Sequence, residues 1–113
     1  MKELEIVIPP EKLENLKRIL NHHGAKGMMI MNIFGYGKQK GNKQIYTRDD
    51  MQGVNLMPKL DIKTFVEDKY VEEIIKTILE ELNTGNFGSG KIFVKNVEDV
   101  IKIRTGERGI EAL

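Results

Sequence analysis

The chain has 113 residues, 40% hydrophobic and 31% charged, the composition of an ordinary globular chain with room for one core. Eighteen basic residues stand against seventeen acidic ones, a formal charge of +1, so no whole-protein field draws it to nucleic acid or membrane, and any electrostatic function has to be local. The absence of cysteine excludes a disulfide framework, a thiolate metal site and a cysteine nucleophile, and a cytoplasmic protein is the simplest expectation.

The opening, MKELEIVIPPEK, interrupts its apolar residues with glutamates and two prolines, so it reads neither as a signal peptide nor as a membrane span. Leu4, Ile6 and Ile8 alternate with the other face over residues 3–8, the period of a strand, which Pro9 and Pro10 end. Over residues 11–23, Leu13, Leu16, Ile19 and Leu20 recur at helical spacing, with Gly24 as the stop. GMMIMNIF then predicts a second strand. The same order returns in the second half. KLDIKTFVED, residues 59–68, predicts a strand, and Val71, Ile74, Ile75, Ile78, Leu79 and Leu82 a longer helix, with Asp68 as its N-cap and Gly85 beyond its end. GKIFVKNV (90–97) predicts a fourth strand and DVIKIRT (99–105) a short fifth.

Two β-α-β units in tandem predict an α+β chain of the ferredoxin-like, split β-α-β kind: an antiparallel sheet with two helices on one face, as a single domain over 1–113. The bare sheet face needs a cover, which further copies of the chain supply most economically, so a homo-oligomer is expected. Between the second and third strands lie 24 residues, Gly35 to Pro58, where a hairpin needs about two to five. Rich in Gly, Lys, Gln, Asn and Asp, this insertion reads as an exposed arm able to dock elsewhere.

Two glycine-lysine strings carry what chemistry the sequence offers. In GNFGSGKI, Gly85, Gly90 and Lys91 fit the first seven positions of a phosphate-binding P-loop, but Ile92 stands where Ser or Thr should hold magnesium, and a strand follows where a helix is required. GYGKQKG is one residue too long for a dinucleotide fingerprint. Glycines that admit backbone amides and lysines that supply charge suit a polyphosphate in both strings, although solvated lysines on a loop are the commoner origin of such a pattern. Catalytic sets are missing: His22 and His23 are adjacent and diverge, and Asp49 and Asp50 have no histidine near them in sequence. Met28, Met29, Met31 and Met57 lie in apolar runs, where core packing is expected.

GYGKQKG, LMPK, TGNFGSGKIFV and IKIRTGERG, in that order, resemble four signature blocks of the PII signal-transduction proteins, and the resemblance spans the whole chain. It implies a homotrimer with ATP or ADP bound in the clefts between subunits, and 2-oxoglutarate bound with Mg-ATP at the base of a long loop, the T-loop, here residues 35–58. Partners it implies are an ammonium transporter, glutamine synthetase, nitrogenase or a nitrogen-control regulator, with no direct nucleic-acid contact and no membrane insertion. GKQKG is similar to variants associated with nitrogen-fixation genes.

Residue by residue, the resemblance assigns Val7 to the adenine pocket and Gly35, Gly37, Lys38 and Gln39 to the nucleotide. Gln39 would also coordinate Mg2+ and the keto acid, and Lys59 would pair with the 2-oxoglutarate carboxylate. Gly88, Ser89, Gly90 and Lys91 match the phosphate-facing turn, and Lys102 and Arg104 the residues that approach the phosphates from a neighbouring subunit. Lys40, Lys43, Tyr46, Arg48, Asp49 and Asp50 fall in the partner-seeking loop. The chain departs from the family at Lys63 (usually Glu), Ser89 (Asp), Lys102 (Arg) and Met29 (Thr), and Val7 replaces the usual Ile. Its loop keeps Tyr46 but is one residue longer and lacks the tyrosine that many relatives uridylylate, so no uridylylation is expected there. A regulator rather than an enzyme is expected; the alternatives are a slow ATPase of ferredoxin-like build and a module that binds its partner without nucleotide.

Overall fold

A computed structural model of the chain describes residues 1–36, 56–86 and 88–113. Its elements are β1 (Lys2–Ile8), a 3₁₀ turn (Pro10–Lys12), α1 (Leu13–His22), β2 (Met29–Tyr36), β3 (Leu56–Val66), α2 (Asp68–Leu82), β4 (Lys91–Asn96) and a closing 3₁₀ turn (Gly109–Ala112). The strands form one sheet in the order β2-β3-β1-β4, each pair antiparallel, which with two helices packed on one face is the ferredoxin-like split β-α-β sandwich.

The local causes are those the periodicities predict. Leu4, Ile6 and Ile8 of β1 are buried toward the helices, and the register places Leu60, Ile62 and Thr64 of β3 directly opposite them on the same face. Pro10 cannot extend the strand ladder and instead begins the 3₁₀ turn, in which Lys12 N–H donates to the Pro9 carbonyl at 3.0 Å. Leu16, Ile19 and Leu20 of α1 meet Val71, Ile74, Ile78 and Leu82 of α2 over this sheet face. Each such fully buried side chain contributes about 1.5–3 kcal/mol. Gly24 ends α1 at φ +89, where the edge of the Tyr70 ring would crowd any Cβ at 3.0 Å.

The helix-free face has a different chemistry. Glu3, Glu5 and Val7 share it with Asp61, Lys63 and Phe65, with Phe93 and Lys95, and with Met29 and Met31 of the edge strand β2. Met29, Met31 and Phe93 are about half exposed there. The expectation that the methionines pack into the core holds for Met28, which is partly buried against the core cluster, and fails for Met29 and Met31, half-exposed on the open side; Met57 is buried, but its pairing opposite Gly35 puts it on that same side of the sheet.

Three further expectations are corrected. Asp68 is the first residue of α2 rather than its cap; the extended Glu67 precedes it and makes no side-chain capping bond. Leu79 belongs to the predicted apolar stripe but is 59% exposed, at the rim of a groove between α2 and β4. No fifth strand forms over 99–105: the segment makes one isolated bridge, Ile101 to Arg108, because Gly106 and Gly109, at φ +75 and +71, turn the chain back before a ladder can grow. Strand pairing also runs further into the insertion than predicted, to Tyr36 and Leu56.

One close approach fixes the end of the sheet on which the candidate site stands. Gly90, at φ +117, lies so near β1 that a Cβ would fall 2.0 Å from the Val7 carbonyl oxygen. Gly90→Ala is therefore expected to cost about 3 kcal/mol or more in denaturant unfolding, since backbone or turn must move. Gly85→Ala, at φ +75 in open space, is expected to cost only about 1–2 kcal/mol. Equal unfolding midpoints for the two variants would show that the Gly90 turn yields freely.

Candidate functional site

At this end of the sheet three elements converge. Gly35 lies near the end of β2 opposite Met57, and the Lys59 stem packs against it, with Cγ 3.3 Å from where a Gly35 Cβ would stand. Lys59, on the adjoining strand, is 8% exposed, and its Nζ donates to the carbonyl of Gly88 at 2.8 Å. Gly88 belongs to the turn that leads through Gly90 into β4, whose first residue, Lys91, pairs with Val7. One chain thus brings together Val7, Gly35, Lys59, Gly88, Ser89, Gly90 and Lys91.

The ammonium of Lys59 is the unusual group. Burial lowers its pKa from the usual lysine value, an effect that the charge of Glu11 opposes. An ammonium has three N–H donors; among the described residues its hydrogen bond to protein goes to Gly88, so donor capacity remains for an anion. The glycine turn is stiffened from within. Ser89 Oγ donates to the Asn86 carbonyl at 3.0 Å and accepts from Thr84 N–H at 3.2 Å, while Asn83 Oδ1 accepts from Gly85 N–H at 2.8 Å. The Ser89 hydroxyl is thus engaged inside the turn, leaving backbone groups and Lys91 as its outward chemistry.

Lys102 and Arg104 lie at the opposite end. Val97 N–H donates to the Met1 carbonyl, so the chain after β4 continues beside the start of β1, about 20 Å along that strand from Val7. There the C-terminal turn flanks a cavity of about 540 Å3 whose lining includes Gly27, Met29, Lys63, Phe65 and Asp99. Met29 and Lys63, two departures from the family pattern, are direct cross-strand partners at this cavity, a proximity that only the strand register reveals. Gly37, Lys38, Gln39, Lys40, Lys43, Tyr46, Arg48, Asp49 and Asp50 lie outside the described residues. His23 Nε2 sits 3.3 Å from Thr77 Oγ1, and no group of three His, Asp or Glu side chains among the described residues could hold a metal.

Between the two ends runs a charged row that sequence reading passed over. Lys95 Nζ lies 2.9 Å from Glu5 and 3.6 Å from Glu3, and Lys63 Nζ lies 4.0 Å from Glu5. Asp61 is 7% exposed, and its Oδ1 has no partner. Burial, and then the neighbouring Glu5, raise the Asp61 carboxyl above its ordinary range, whereas hydrogen bonds from Lys95 and Asp61 lower Glu5.

The chain matches the family described as "Nitrogen regulatory protein P-II" over residues 1–107. It is 42% identical to the "Nitrogen regulatory protein P-II" of Azospirillum brasilense over 113 residues, all of both chains. It is 40% identical to "Nitrogen regulatory protein P-II 2" of Methanothermobacter thermautotrophicus, over all of this chain and 97% of that one. Among solved structures it is similar to that titled "Structure of B. subtilis GlnK", with a TM-score of 0.79 and 36% identity over 99% of this chain and 97% of that one.

Asp61 supplies a test of the open face. A carboxyl whose pKa is raised by folding contributes its stability in full below the ordinary aspartate value and loses it as pH rises through the value in the fold. Asp61→Asn is therefore expected to melt about 3–5 °C above the parent at pH 7.5, the gap closing toward pH 4. A variant less stable at pH 7.5 would show the ionised carboxylate to be a net stabiliser.

Proposed function

The chain belongs to the P-II family of nitrogen regulatory proteins, and on that premise we propose that it responds to ATP or ADP and to 2-oxoglutarate and regulates nitrogen-metabolism partners by protein contact. The observation that carries this reading is the placement of Lys59: a buried ammonium between a loop-entry glycine and a glycine turn, with donors in hand for an anion. A buried cation of this kind is costly for stability alone, and an acidic ligand is the partner that would offset the cost.

In this reading Val7 provides an apolar surface for the base, and Gly35, Gly37, Lys38, Gly88, Ser89, Gly90 and Lys91 frame the phosphates, Ser89 by stiffening the turn. Lys59 and Gln39 hold the dicarboxylate. Mg2+, when bound, would screen the phosphate and keto-acid oxygens, with Gln39 as its protein ligand. Lys102 and Arg104, far from Gly88 within one chain, act on the phosphates of a second copy, so the complete site requires association, as a homotrimer. The open face with Met29, Met31 and Phe93 offers the surface for it.

The loop containing Lys40, Lys43, Tyr46, Arg48, Asp49 and Asp50 would contact the regulated protein: an ammonium transporter, glutamine synthetase, nitrogenase or a nitrogen-control regulator. The protein then acts in the cytoplasm as a regulator rather than an enzyme. Among the described residues no helix is long and apolar enough to cross a membrane.

Calorimetry of the full chain with ATP, ADP, and Mg-ATP plus 2-oxoglutarate tests this directly. Lys59→Ala is expected to abolish 2-oxoglutarate binding and to weaken ADP by no more than about tenfold, since ADP depends on Lys59 only through the Gly88 turn that it steadies. Absence of nucleotide binding to the parent at millimolar concentration would refute the sensor reading. Retained keto-acid binding in Lys59→Ala would remove Lys59 from the site.

A further inference from the structure

The segment after β4 should by its packing be floppy. Its tip carries Ile103, 100% exposed, followed by Arg104 and Thr105, both exposed, so apolar burial does not hold it. Polar closure holds it instead. At its neck Asp99 Oδ2 accepts from both Nε, at 2.8 Å, and an Nη of Arg108, a two-pronged pair across nine residues. The other oxygen of the same carboxylate accepts from the N–H groups of Val100 and Gly109, at 2.8 and 3.2 Å, and Gly109 N–H is shared with the Val100 carbonyl at 2.9 Å.

Above the neck, Lys102 N–H donates to the Glu107 carbonyl at 2.9 Å and Gly106 N–H to the Lys102 carbonyl at 2.7 Å, closing the turn around Arg104. Glu107 accepts from Thr105 Oγ1 at 2.8 Å and lies 3.7 Å from Lys102 Nζ. Among the described residues Arg104 is the cation of this loop that no carboxylate pairs, whereas Lys102 faces Glu107 and Arg108 faces Asp99.

We infer that Asp99 is a positioning residue: by fastening both ends of the turn 99–109 it presents Arg104 preformed to the phosphates held by a second copy. This rests on the reading of Arg104 as a phosphate ligand supplied across a subunit contact. An exposed ion pair adds little to global stability, so the purpose of this closure lies elsewhere. A loop already ordered before binding does not lose backbone freedom at that moment. The hydrogen bonds of Arg108, with those from the Val100 and Gly109 amides and the Arg108 charge, keep the Asp99 carboxyl below its ordinary range, so the fastening persists at neutral pH.

The test is ATP titration calorimetry on the full chain as parent, Asp99→Ala, Arg104→Ala and the double variant, with hydrogen exchange at residues 98–110. Asp99→Ala is expected to weaken ATP about tenfold in the parent and no more than about twofold beside Arg104→Ala, because it acts through that side chain. Amide exchange at Lys102, Gly106 and Gly109 should accelerate while the melting temperature stays within about 3 °C. Asp99→Asn, which keeps an acceptor for the two amides, should fall between, and serves if the alanine variant fails to fold. Parent-like affinity in Asp99→Ala and Asp99→Asn, or losses that multiply with Arg104→Ala, would overturn this inference alone. Parent-like affinity in Arg104→Ala would overturn the phosphate-ligand reading and the inference with it.

Discussion

The hydrogen bond from the buried Lys59 ammonium to the Gly88 carbonyl organises the candidate site. An ammonium withdrawn from water must be given oxygen partners, and here the oxygen belongs to a turn that is itself held against β1 by Gly90. Strand β3, the turn before β4 and the entry to the long insertion are thereby tied at one point. Any change in what Lys59 bonds to is felt at once by the turn on one side and by Gly35, stacked on its stem, on the other.

The open sheet face shows a different compromise. Three carboxylates and two lysines lie in a surface that also exposes Met29, Met31 and Phe93. Apolar side chains favour covering this face, whereas Asp61, with an unpartnered oxygen, disfavours it while ionised. Such mixed faces bind selectively, because an ill-matched cover leaves charges stranded. The charge row also sets orientation, since Glu5 is shared between Lys95 and Lys63 from strands on either side of β1.

Much of the fold was legible because it rests on two periods. Leu4, Ile6 and Ile8 repeat every second residue, and Leu16, Ile19 and Leu20, like Val71, Ile74 and Ile78, repeat with the helical turn, and all are buried. The glycine strings pointed to Gly35 and Gly88 through Lys91, which the fold gathers around Lys59. What periodicity could not encode was register and side-chain closure. That Met29 faces solvent opposite Lys63 follows from the pairing with β3, and that residues 99–105 turn rather than extend follows from Asp99 bonding to residues nine and ten positions ahead. The Ser89 hydroxyl, sited by motif among phosphate ligands, is drawn inward by Thr84 and Asn86, partners that lie outside the motif's logic.

Strand β3 carries a consequence for how such chains can change length. Lys59, in the cluster around Gly88, and Lys63, in the cavity at the far end, lie four residues apart on one face, about 13 Å along the pleat. The strand is thus a ruler shared by both ends of the sheet. Adding or removing one residue between these lysines would turn one of them under the helices, so descent should tolerate no length variation there. The sequence between Tyr36 and Leu56 carries no such alternation of apolar residues, and insertions and deletions should gather in it while the spacing of Lys59 and Lys63 stays fixed.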